Sequence, residues 1–276
     1  MGRLRDGFAV LVAAGDRADL GRAALEIARL AYPELDPAPY LRQLDILADR
    51  ARPRVEPLAR TVDAARELAA YLFGECGFCG NQDDYYDPRN SFLNDVLERR
   101  TGIPISLSVL MIETGARLGI TIEGVGFPGH FLVRAPGPGG PLLLDPFCGG
   151  RPLDERELLA RYRRVSGHEP TGLPPAALET TGPLGILARM LRNLLRTYLD
   201  RGDHVHALEA VDLLLVLVPE SAVEVRLRGL LYERLECFGP ALADLQRYLA
   251  LAPDAPDRNE IQRRIARLAR TATPVH

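Results

Sequence analysis

Residues 101–148 read TGIPISLSVLMIETGARLGI, TIEGVGFPGHFLVR, APGPGG and PLLLDPFC, and this stretch decides the fold. Leu107, Leu110, Met111 and Gly115 recur at helical spacing, Pro104 suits a first helical position and Gly119 a C-terminal cap, which predicts a helix from about Pro104 to Leu118. The short apolar and β-branched runs 121–126, 129–134 and 142–145 are separated by Gly and Pro, which predicts an antiparallel meander with a hairpin turn at 135–141. His130 then stands at the start of the second strand and Asp145 at the end of the third. On adjacent strands an imidazole and a carboxylate come within hydrogen-bond reach, and the carboxylate fixes the histidine tautomer and stabilises an imidazolium. A helix start, then a histidine, then a carboxylate is the chain order of a nucleophile–His–Asp triad, of which this sequence supplies the last two members.

Upstream, 74–90 reads GECGFCGNQDDYYDPRN, a polar loop rich in Gly and Tyr. Cys76 and Cys79 form a lone C-x-x-C; no second pair or spaced histidines complete a zinc set, and a helix ends before the motif rather than starting at it. They read as incidental cysteines. Asp83, Asp84 and Asp87 lack the alternating spacing and closing Glu of a calcium loop, and Asp87 instead caps a helix that has Pro88 first and buries Phe92, Leu93, Val96 and Leu97. Before residue 70 the periodicity is helical: Leu20, Ala24, Ile27 and Leu30; Leu41, Leu44 and Leu47; Leu58, Val62, Leu68 and Leu72. Downstream, Asp154 begins a helix through Tyr162, and 166–182, rich in Pro, Thr and Gly, reads as a linker. Beyond it a 34-residue offset aligns Tyr198 with Tyr232, Ala207 with Ala241, Leu208 with Leu242 and Pro219 with Pro253, the period of tetratricopeptide repeats.

The chain has 276 residues, 47% hydrophobic and 26% charged, ordinary for a water-soluble protein with a real core. Its net charge of −3 gives no overall basic footprint for nucleic acid. All 34 basic residues are arginine, so the chain offers no lysine for isopeptide cross-linking. The longest apolar runs, 8–14 and 213–218, fall far short of the roughly 20 residues of a membrane helix. Asp6 interrupts the would-be basic region of a signal peptide, and four scattered cysteines are too few for a disulfide framework, so the expected location is the cytoplasm. His204 and His206, two apart on a helix, face different directions and read as a solvated surface; His168 and His276 fall in loop and tail.

YYDPRNSFLNDVLERRTGIPISLS, GIPISLSVLMIETGARLG, GVGFPGHFLVR and LLLDPF followed by Gly149-Gly150 resemble the transglutaminase-like core of the bacterial SirB regulator family, whose members carry tetratricopeptide repeats after that core. The resemblance covers about residues 20–255. It implies an α+β chain: a helical N-terminal region (1–73), a papain- or transglutaminase-like core of helix plus antiparallel sheet (74–165), the linker (166–182) and all-α tetratricopeptide-type repeats (183–276). In catalytic transglutaminase-like relatives a Gly-x-Cys opens the central helix. Counting fifteen residues back from Gly119 lands on Pro104, so Gly102-Ile103-Pro104 stands where Gly-x-Cys would be, while His130 and Asp145 match the family's histidine and aspartate.

Pro104 has no nucleophilic atom. Of the nearby hydroxyls Ser106 points away and Ser108 lies one turn deeper, the better of two weak stand-ins; Cys79 and Cys148 lie on loops that could approach His130. The sequence therefore favours a non-catalytic scaffold that binds a peptide or protein partner through the degenerate groove and the helical repeats, with Asp87, Asn90, Asn94 and Arg100 around that groove. The competing reading for Asn90, Asn94 and Arg100 is structural: helix-end bonds for the asparagines and a surface pair with Asp95 or Glu98 for Arg100. The alternative function is a peptidase, amidase or acyl-transfer enzyme using an unidentified Cys or Ser with His130 and Asp145. A regulator acting on DNA is disfavoured by the acidic balance. No metal or cofactor is implied.

Overall fold

The computed structural model describes residues 2–167 and 172–272, so His168 and His276 lie outside the described residues. Helical periodicity in the first third yields α1 (Gly2–Val12), α2 (Leu20–Ala28), α3 (Ala38–Val55) and α4 (Thr61–Ala69), the last running into a π turn at Ala70–Glu75. α2 is capped by Asp19, which accepts from the Arg22 N–H at 2.9 Å, and is buried along nearly its whole length.

The Gly- and Tyr-rich stretch then carries β1 (Cys79–Gly80), a 3-10 turn at Pro88–Asn90 and α5 (Leu93–Arg99). Asp87 caps only the 3-10 turn, so the single helix expected from Asp87 is two elements. The reason lies in the Asn90 carbonyl: it accepts from Ser106 Oγ at 2.5 Å and from the Ile103 N–H at 3.4 Å, and so is withdrawn from the bond that would continue the helix.

β2 (Thr101–Gly102) pairs in parallel with β1 and leads into α6 (Pro104–Arg117). The central helix stands where the spacing put it, with Leu107, Val109, Leu110 and Met111 fully buried and Gly119 past its end at φ 72°. Against α6 lies an antiparallel sheet of β3 (Glu123–Val125), β4 (Leu132–Ala135), β5 (Leu142–Asp145), β6 (Arg151–Pro152) and β7 (Thr180–Thr181), in the order β6-β5-β4-β3-β7. The registers Val125↔Leu132 and Val133↔Leu144 set the meander. α7 (Glu155–Ser166) opens on a capping box, Asp154 and Glu157 each accepting from the other's N–H. The stretch read as a linker contributes a 3-10 turn at Pro175–Leu178 and then β7, which pairs with Gly124 and Val125 and extends the sheet edge.

The remaining helices are α8 (Pro183–Asp200), α9 (His204–Leu217), α10 (Ala222–Arg234), α11 (Phe238–Leu251) and α12 (Arg258–Ala272). α9 and α11 begin and end 34 residues apart, and the matched residues Ala207 and Ala241 are both fully buried. The chain divides into two compact units, one of residues 11–190 and one of residues up to 10 together with those from 191 on. Among the described residues no helix is long and apolar enough to cross a membrane.

Candidate functional site

His130 lies just before β4 rather than on it, because pairing with β3 begins at Leu132. It closes a tight turn in which its N–H donates to the Phe127 carbonyl at 3.0 Å and Gly129 takes φ 68°. Arg189 of α8 clamps that turn, donating from Nη2 to the His130 carbonyl at 2.6 Å and to the Phe127 carbonyl at 3.2 Å while its guanidinium lies over the Phe131 ring. The imidazole is thus aimed by backbone geometry before any partner is counted.

Asp145 is the last residue of β5 and is completely buried. Its Oδ1 is 2.9 Å from His130 Nε2 and accepts from the Cys148 N–H at 3.3 Å, while its Oδ2 meets Arg161 Nη1 of α7 at 2.8 Å. Burial alone would raise the carboxyl pKa, but the His130 bond and charge, the Arg161 guanidinium and the Cys148 N–H together hold it down at about 2. Asp145 is therefore a carboxylate at neutral pH, and Nδ1 is the ring nitrogen of His130 left facing away from it. Phe147 packs edge-on against the imidazole, Tyr85 against Phe147 and Tyr86 against Tyr85, with centroids 6.1, 5.9 and 5.3 Å apart. The row runs outward to Tyr86, 61% exposed.

At the head of α6 the expected nucleophile position holds Pro104, buried as the first helical residue. Ser108, the weak alternative, is fully buried and donates to the Pro104 carbonyl at 2.7 Å, which ends its candidacy as a free hydroxyl. Ser106 is equally buried: its Oγ accepts from the Ile103 N–H at 3.1 Å and donates to the Asn90 carbonyl. Cys79 is exposed and lies 3.9 Å from Thr101 Oγ1. Cys148 is also exposed, three residues beyond Asp145, and burial of its sulfur followed by the Asp145 charge pushes its thiol pKa up, the wrong direction for an activated cysteine.

Of the four residues expected around the groove, Asp87 and Asn90 tie the 84–90 loop, Asn94 lies on α5 and Arg100 follows its end. Asp87 pairs with Arg89 at 2.9 Å and Arg99 at 3.3 Å, and Asn90 donates from Nδ2 to the Asp84 and Tyr85 carbonyls. Asn94 is 3% exposed, and its Oδ1 has no hydrogen-bond partner among the described residues. Arg100 takes the left-handed conformation at φ 54°, and its carbonyl accepts from the Cys79 N–H. Among the described residues Arg100 makes no ion pair with Asp95 or Glu98, while its neighbour Arg99 reaches the buried Asp87 carboxylate at 3.3 Å. Among the described residues none of these four hydrogen bonds with His130 or Asp145.

Sequence reasoning missed Arg161, Arg189 and Phe147. Arg161 shares α7 with Arg156, Arg163 and Arg164, and nothing in spacing singles out the one that turns inward. Phe147 had a signal, an aromatic directly after the Asp145-Pro146 pair that closes the strand.

The chain matches the family model of the transglutaminase-like superfamily over residues 38–192 and that of the tetratricopeptide repeat over residues 194–266. A UPF0162 protein of Xylella fastidiosa strain Temecula1 is 42% identical over 255 residues, covering 92% of this chain and 91% of that protein. A UPF0162 protein of Pseudomonas aeruginosa is 35% identical over 252 residues, 91% of each chain. Protein SirB1 of Salmonella typhimurium is 26% identical over 241 residues, 85% of this chain and 87% of that protein. No solved structure matches.

Proposed function

We propose, for a chain that belongs to the UPF0162 and SirB1 family of transglutaminase-like proteins with tetratricopeptide repeats, that it binds an extended segment of a protein partner and performs no acyl transfer. What supports this reading is the head of α6, where Pro104 stands at the position that the family resemblance assigns to the nucleophile and the hydroxyls of Ser106 and Ser108 are consumed by backbone groups. Loss of the nucleophile from a triad removes most of the chemistry and leaves a shaped, polar surface that still binds. His130, held by the fully buried carboxylate of Asp145, supplies a polar contact, and the row Phe147, Tyr85 and Tyr86 supplies the aromatic surface that protein interfaces favour. Repeats of paired helices add a second surface suited to peptide recognition. No nucleic-acid role is proposed, and the protein is read as cytoplasmic.

The test is labelling of the purified chain with thiol-directed and serine-directed activity probes, with the modified residue read by mass spectrometry, in the native protein and in His130→Ala. The reading expects no His130-dependent adduct. A single Cys or Ser that labels in the native protein and is silent in His130→Ala overturns it and establishes an acyl-transfer or hydrolytic enzyme.

A further inference from the structure

Arg189 of α8 carries a charge that the turn it clamps does not need. Only its Nη2 serves that turn, donating to the Phe127 and His130 carbonyls, and a neutral donor would serve it as well. Among the described residues no carboxylate pairs with Arg189, and its Nη1 has no hydrogen-bond partner. A cation taken partly out of water is unfavourable until an anion compensates it, and burial accordingly lowers the Arg189 pKa. Arg161, the other cation near the dyad, is committed to Asp145.

Nη1 borders a spot that no side chain fills. Gly126 follows β3, and a Cβ placed on it would lie 3.3 Å from Arg189 Nη1 and 3.1 Å from Thr181 Oγ1 of β7. Beyond the adjoining residues of the chain no other heavy atom would come within 4 Å of that Cβ. A guanidinium N–H and a hydroxyl therefore converge on one point, which exists because residue 126 has no side chain. The backbone does not demand glycine there, since Gly126 is not among the residues in the left-handed region.

Thr181 is brought to this point by the pairing of β7 with Gly124 and Val125, and its methyl is turned towards Gly185, whose own Cβ would meet it at 2.6 Å. Its hydroxyl likewise has no hydrogen-bond partner among the described residues. Gly126, Thr181 and Arg189 each keep part of their surface in solvent.

We propose, building on the binding role inferred above, that this cradle receives a carboxylate carried by an acidic side chain of the bound protein segment. One carboxylate oxygen accepts from Arg189 Nη1 and the other from the Thr181 hydroxyl, a charge-assisted bond beside a neutral one. The occupant is a monoanion because the cradle offers a single positive charge. Labelling by the activity probes bears on acyl transfer without involving this cradle, so the two readings fail on separate measurements.

The test uses the full chain with its 34 arginines labelled with nitrogen-15, the Arg189 Nε–H signal being assigned by its loss in Arg189→Lys. It is titrated in turn with a blocked pentapeptide holding one central glutamate, the same peptide with glutamine, propionate and inorganic phosphate. A saturable shift of the Arg189 signal is expected with the glutamate peptide and not with its glutamine counterpart, weakening as salt rises. Thr181→Val, which removes the hydroxyl at nearly constant shape, is expected to weaken binding about fivefold, and Gly126→Ala, which fills the cradle, roughly tenfold or more. Both variants leave Nη2 on its two carbonyls, and a retained Arg189 signal together with a cooperative thermal transition shows that each is folded. Equal response to the glutamine peptide, a linear unsaturable shift, or undiminished binding in both variants overturns the proposal. Propionate binding as tightly as the glutamate peptide overturns the protein source in favour of a free small carboxylate, and tighter binding of phosphate than of either overturns the carboxylate assignment.

Discussion

Asp145 concentrates the energetics of the candidate site in one residue. Burial works to lift its carboxyl above the ordinary 3.8, yet His130, Arg161 and the Cys148 N–H hold it at about 2. A depressed pKa in the folded state means that the stabilisation is fully present above about pH 4 and drains away as pH falls towards 2. The difference corresponds to about 2 kcal/mol. Urea unfolding of the native protein at a series of pH values from 6 to 2 should show this loss, and Asp145→Asn should be less stable at pH 6 but flatter on the acid side by about that amount. Identical acid limbs in the two proteins would show that the pair carries no such coupling. His130 and Asp145 were legible because a one-hairpin spacing with Pro and Gly punctuation fixes which residues of adjacent strands meet. Arg161 and Arg189 were not, since each reaches the site from a helix that spacing cannot orient, and Arg189 arrives from 59 residues beyond His130.

Among the elements, α7 is the one whose local sequence positions the site at a distance. Its capping box holds the first turn, and Arg161, one turn and a half further on, meets Asp145. Asp154→Ala removes that cap and should lower stability by about 1 kcal/mol in urea unfolding, with faster amide exchange in 155–162. A stability unchanged within error would show that tertiary packing of Leu158 alone holds the helix. The elements that were read correctly, α6 and the meander, are long or strongly patterned. The errors fall where two residues make an element: β7 has no period to detect and exists because Gly124 and Val125 offer a free sheet edge. The split between the Pro88–Asn90 turn and α5 likewise comes from a distant donor, Ser106, competing for one carbonyl.

At the scale of the whole chain, an internal period made the repeats legible without any knowledge of side-chain contacts, but it is silent on what ties successive helices. Arg228 of α10 does so, bonding Asp212 of α9 at 2.8 Å and Asp244 of α11 at 2.7 and 2.8 Å, all three nearly buried. Arg228→Ala leaves two carboxylates facing each other without a cation and should cost about 3 kcal/mol, read as faster hydrogen exchange in peptides from 204–251. Exchange as slow as in the native chain would show that apolar packing alone holds those helices. The transglutaminase-like unit carries a different kind of economy at Pro104. Proline has no amide hydrogen, so this residue withholds a main-chain donor as well as a thiol, and in acyl-transfer triads the nucleophile's own N–H helps to hold the developing oxyanion. On the proposed reading, one residue removes both halves of the reaction, attack and charge stabilisation, and one substitution returns both. Pro104→Cys is expected to yield a thiol that reacts with iodoacetamide below pH 7, as a helix N-terminus promotes, and that loses this reactivity in the Pro104→Cys, His130→Ala double variant if His130 serves it as base. An introduced thiol that stays unreactive, or that is indifferent to His130, would mean that the rest of the machinery has drifted beyond recovery.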